Sequence, residues 1–220
     1  MKKTLLMISL FACLSGVMHA LPCAGGTLAT YTAGGFSCTL DGLTFSGFSY
    51  TPSASGLAQV PDAGGVAVMP ETIAGENGLQ FSSAWLAGSG QTEDSLIRYT
   101  ATCNGCLIDD LVLIMGGGAK HGAIASVSET SVKPFVSLLT GGIDLEDMTT
   151  LSPGVTTITL TKDIGLSGGE DPNGIAHISA VSNLFSTNTT TTMTPEPALG
   201  LLSLGLLGMI PVARRKLRRL

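Results

Sequence analysis

The chain has 220 residues, enough for one domain with appendages, and carries 11 Lys and Arg against 16 Asp and Glu. The charge is unevenly placed: residues 21–194 hold four basic side chains (Arg98, Lys120, Lys133 and Lys162) against 15 acidic ones, a difference of −11. A body that acidic repels phosphate backbones and anionic surfaces, which argues against nucleic acid as a partner and suits an extracellular protein that must stay soluble.

Met1 to Ala20 opens with Lys2 and Lys3, runs apolar from Leu5 to Leu14, and closes on small and polar residues. A charged start, an apolar run and a small final residue predict a secretory signal, passed through the Sec translocon and cut by signal peptidase after Ala20. The run is too short to span a bilayer, which needs about 20 apolar residues. The alternative of a lipoprotein, with Leu10-Phe11-Ala12-Cys13 as its lipobox, places a bulky Phe11 inside the motif.

Four cysteines remain after cleavage: Cys23, Cys38, Cys103 and Cys106. An even count in an exported chain reads as disulfides, and local pairing favours Cys23–Cys38 and Cys103–Cys106. The first pair would staple an N-terminal strand. In the second, Asn104-Gly105 is the strongest signal for a two-residue type I′ hairpin. A redox-active Cys-x-x-Cys, or a zinc site shared by both pairs, are the alternatives.

Strand signals follow one another through the middle. Leu43 to Tyr50 alternates in part, with a bulge expected at Gly47. Leu79 to Leu86 places Leu79, Phe81 and Trp85 on one face, and Leu96 to Thr102 alternates likewise. Leu107 to Met115 suits a strand or a short helix. Val155 to Lys162 is β-branched, and Ile175 to Leu184 alternates. Turns are expected at Gly64-Gly65, Gly116-Gly117-Gly118, Gly141-Gly142, Pro153-Gly154 and Asp171-Pro172-Asn173-Gly174. Many short strands with Gly and Pro punctuation predict an all-β domain over residues 21–185. A two-sheet β-sandwich of jelly-roll or immunoglobulin-like type fits best, with Trp85 and most Phe residues in its core.

Residues 186–194, rich in Thr, lack the apolar content to fold and read as a linker. Pro195-Glu196-Pro197 follows, then an uncharged apolar stretch over residues 198–213, then Arg214, Arg215, Lys216, Leu217, Arg218, Arg219 and Leu220. Sixteen helical residues cover about 24 Å against a hydrocarbon core of about 30 Å, a shortfall that snorkelling arginines and bilayer thinning absorb. The basic cluster directs residues 214–220 to the cytoplasm and everything upstream outside. Prolines on both sides of Glu196 keep it extended and unpaired, which suits a protease-like cleft.

Motif, apolar stretch and arginine cluster, in that order, resemble the PEP-CTERM sorting signal. The resemblance covers residues 195–220. It implies recognition at Pro195, Glu196 and Pro197 by an exosortase, release from the inner membrane, and deposition at the cell surface or in an exopolysaccharide matrix. The middle also resembles a group of PEP-CTERM precursor ectodomains at Tyr31, Cys38, Phe45, Phe48, Tyr50, Trp85, Tyr99, Ile108-Asp109, Glu129 and the Ile178-to-Phe185 stretch. That likeness implies fold and no mechanism.

Candidate chemistry in the exported part is thin. His121 falls on a loop and His177 in an alternating strand, and nothing in their spacing pairs them with carboxylates. Gly116–Gly118 lacks the Gly-Lys-Ser/Thr ending of a phosphate loop. Glu93-Asp94, Asp109-Asp110, Asp144/Glu146/Asp147 and Glu170-Asp171 with Asn173 offer oxygen ligands that suit weak structural calcium, though none matches a calcium loop. No cofactor and no catalytic residue is assigned. The expectation is a non-enzymatic structural or adhesive surface protein. The alternatives are a carbohydrate-binding module with an aromatic platform from Tyr31, Tyr50 or Trp85, and a hydrolase built on His121 or His177.

Overall fold

The structure, a computed structural model, describes residues 20–188. The leader expected over residues 1–19, the Thr-rich run past Asn188 and the sorting tail 195–220 lie outside the described residues. In chain order the elements are β1 Leu21–Pro22, β2 Gly26–Thr27, α1 Leu28–Tyr31, β3 Ser37–Leu40, β4 Leu43–Ser55, β5 Ala67–Ile73, β6 Glu76–Gly88, β7 Thr92–Cys103, β8 Leu107–Lys120, β9 Ile124–Val132, β10 Phe135–Gly141, β11 Glu146–Val155, β12 Thr157–Ser167 and β13 Ile175–Asn188. Among the described residues no helix is long and apolar enough to cross a membrane.

The strands form two sheets. One runs β1-β3-β4-β7-β12-β9-β10 and the other β11-β8-β13-β6-β5-β2. All pairings are antiparallel except β1 with β3. The domain is therefore all-β, a sandwich whose two sheets share one core.

Period-two patterning sets the inward faces. In β7 the buried positions are Glu93, Ser95, Ile97, Tyr99, Ala101 and Cys103; in β12 they are Ile158, Leu160, Lys162, Ile164 and Leu166. Leu79, Phe81 and Trp85 of β6 are buried together, as their spacing predicts. Tyr99 sits at the centre of an aromatic group drawn from both sheets, 5.5 Å from Phe48, 5.8 Å from Phe81 and 6.2 Å from Phe45, ring centre to ring centre. The bulge expected near Gly47 appears as a register shift between Ser46 and Ser49 against β7. Leu107 to Met115 is strand, with Ile108, Leu111, Leu113 and Met115 in the core.

Four expectations need correction. Cys103-Asn104-Gly105-Cys106 is not a hairpin: β7 and β8 belong to different sheets, so the chain crosses the sandwich here. A type I′ turn needs positive φ at both central residues, whereas Asn104 is not among the positive-φ residues and only Gly105, at 78°, takes it. Gly116-Gly117-Gly118 is no turn but strand, paired with β13. At Gly117 the facing strand comes too close for a side chain: a Cβ there would collide with the His177 carbonyl oxygen and the Ile178 Cα. Pro153-Gly154 lies inside β11, at the irregular register between Thr150 and Val155. The domain edge expected at residue 185 moves to Asn188, because Ser186, Thr187 and Asn188 continue the ladder with β8. Ser186 also donates its N–H to Asp110 Oδ1 (3.2 Å) and its hydroxyl to Glu76 Oε1 (3.1 Å).

Candidate functional site

Both expected cysteine pairs are disulfides, Cys23–Cys38 with Cα atoms 4.7 Å apart and Cys103–Cys106 with 5.2 Å. The first ties β3 to the segment just after β1, which lies parallel to it. Neither pair offers thiolates to zinc, and no helix starts at Cys103 or Cys106.

Two of the three rings expected to make an aromatic platform are buried. Trp85 is 1% exposed and Tyr31 2%, so neither presents a face to a sugar ring. Trp85 Nε1 donates to Ser95 Oγ (3.2 Å), and the half-buried Tyr50 donates its hydroxyl to the Pro61 carbonyl (2.7 Å) while lying 3.0 Å from the same Ser95 Oγ. These rings are structural.

Among the described residues His121 and His177 form no ion pair with a carboxylate. His121 occupies the turn between β8 and β9, and His177 is exposed on β13 opposite Gly118. Among the described residues no three His, Cys, Asp or Glu side chains converge on a metal position. In three of the acidic clusters one carboxylate accepts from the backbone. Asp147 accepts from the Leu139 and Met148 N–H groups, Asp171 from Asn173, and Asp110 from Ser186.

Glu93 differs in its burial: it is turned inward on β7 and 1% exposed. Oε2 accepts the Leu86 N–H at 2.8 Å, and Oε1 has no partner among the described residues. Burial pushes its pKa up to about 7, with the Leu86 hydrogen bond opposing. The folded chain thus holds a proton that the unfolded chain releases near 4.5, so the stability this gives is full at low pH and drains as pH rises from about 4.5 to about 7. Glu93→Gln is expected to flatten that stretch of the urea-midpoint curve relative to the parent. Parallel curves for the two proteins across the window would rule the assignment out.

The most concentrated chemistry lies where sequence reasoning assigned no role. Lys162 on β12 and Glu129 on β9 are direct cross-strand partners, both 0% exposed, with Nζ 2.6 Å from Oε2. The other carboxylate oxygen of Glu129 accepts from Asn183 Nδ2 at 2.7 Å, and Asn183 Oδ1 accepts from the Tyr99 hydroxyl at 2.9 Å. Asn183 belongs to β13 in the opposite sheet, so the chain Tyr99–Asn183–Glu129–Lys162 bridges the sandwich through its interior. Burial lowers the Lys162 pKa, against the pull of Glu129, and raises that of Tyr99 well above its usual value, with the Glu129 charge adding to the rise. A sequence-level signal existed: Lys162 and Glu129 both stand at inward positions of alternating strands, where apolar residues are expected.

No family model matches the chain, and no curated protein does. Among solved structures, the enzymatically active domain of bacteriophage CBA120 tailspike protein 4 is similar at 13% identity and a TM-score of 0.24, covering 61% of this chain and 19% of that one. At that score the likeness carries no argument about activity.

Proposed function

We propose that this chain is an exported structural or adhesive protein of the bacterial surface, processed by an exosortase at Pro195, Glu196 and Pro197. In this reading its β-sandwich stands outside the inner membrane while residues 198–213 tether it and Arg214, Arg215, Lys216, Arg218 and Arg219 face the cytoplasm. The mature form is set free to the surface or to an exopolysaccharide matrix. The observation that carries the proposal is the pair of disulfides, which belongs to an oxidising compartment and agrees with the sorting-signal resemblance of the tail. The acidic body and the buried, mutually bonded aromatics also support a durable, soluble scaffold.

The test is expression of the full chain in a host with and without a matching exosortase, followed by size and fractionation. Shortening and release only in the exosortase host are expected, and Glu196→Ala should block both. Full-length chain retained in both hosts would overturn the proposal.

A further inference from the structure

We propose that Lys162 and Asn183 join in an intramolecular isopeptide bond, formed by the folded domain itself with Glu129 as the catalytic carboxylate. The observation behind it is one carboxylate holding both reactants. Glu129 Oε2 takes the Lys162 Nζ at 2.6 Å and Oε1 takes the Asn183 Nδ2 at 2.7 Å, with all three side chains fully buried.

Each part of an acyl transfer is present. Lys162 is the nucleophile, and loss of water shifts its ammonium toward the neutral amine that can attack. Glu129 is placed to take the proton from Nζ and to deliver one to Nδ2. The electrophile is Cγ of Asn183. Its carbonyl oxygen already accepts from Tyr99, whose hydroxyl burial keeps protonated and ready to hold the developing oxyanion.

The step balances without a co-reactant. Lys162 passes one proton to Glu129, and the free amine adds to Cγ, sending the carbonyl electrons to Oδ1. Glu129 then protonates Nδ2 and takes a proton from the attacking nitrogen. The carbonyl reforms, the Cγ–Nδ2 bond breaks, and ammonia leaves with Glu129 protonated. Nothing is oxidised or reduced. The product is a covalent tie between β12 and β13, that is, between the two sheets. It depends on folding alone and not on export or sorting.

Intact mass and tryptic mapping of the full chain test this. The parent is expected to weigh one ammonia less than its sequence mass, after the disulfide hydrogens are counted, and trypsin should fail to cut after Lys162. Asn183→Asp should lose water in place of ammonia and arrive at the same final mass as the parent, an outcome no salt bridge produces. Lys162→Arg and Glu129→Gln should keep the full mass. A parent at its full sequence mass, or ammonia loss that persists in Lys162→Arg, would overturn the proposal.

Discussion

Against the folded chain before its Lys162–Asn183 bond has formed, Glu129→Leu is expected to destabilise the domain by about 3–5 kcal/mol, because it leaves the Lys162 charge buried with no counter-charge. For a domain of this size that is a fall in Tm on the order of 10 °C. The cost comes from the geometry. Lys162 Nζ has Glu129 as its sole hydrogen-bond partner among the described residues, and both side chains are 0% exposed. Water cannot substitute without opening the sandwich. The double variant Lys162→Met with Glu129→Leu should recover much of the loss, since no charge remains inside. Recovery should stay incomplete by about 1–3 kcal/mol, because Asn183 Nδ2 still lacks its acceptor. Urea unfolding at one pH of the two variants and of freshly refolded parent that still carries its full mass measures this, and the bonded parent should lie above all three. A Glu129→Leu variant within 1 kcal/mol of the unbonded parent, on the order of an ordinary surface change, would mean that the pair does not bear on stability.

That pair also marks the limit of what the chain discloses before its partners are known. Inward and outward faces are local properties, so Leu79, Phe81 and Trp85 could be grouped from spacing alone, and all three are buried. The disulfides were legible for the same reason: both close over short separations, 15 and 3 residues. Sheet membership is not local. Asn104-Gly105 announces a reversal but says nothing of which sheet receives β8, and β8 goes to the other one. Gly116–Gly118 looks like a turn until β13 is seen to press on Gly117. Lys162 follows Ile158 and Leu160 in an inward row, and Glu129 follows Ala125 and Val127. Each alone reads as a break in alternation; only the register that sets Lys162 opposite Glu129 turns two defects into one site.

Removing the Cys23–Cys38 bond as Cys23→Ser with Cys38→Ser is expected to cost about 3 kcal/mol, the chain-entropy value for a loop of about 15 residues. The same change at Cys103 and Cys106 should cost about half as much, because that loop is far shorter. The asymmetry has a structural basis too. β1 is only two residues long, both exposed, and its pairing with β3 is the sheet's one parallel contact, so little besides the bond holds it. Cys103 and Cys106, by contrast, are buried where two long strands leave opposite sheets, and packing supports them without the bond. Paired thermal melts of both double variants against the parent, oxidised and with reductant, measure the difference. Reductant should lower the parent Tm by close to the sum of the two effects and leave a chain lacking all four cysteines unmoved. A larger loss at Cys103–Cys106 than at Cys23–Cys38 would show that the crossing between sheets, and not the N-terminal staple, is where this fold needs its covalent support.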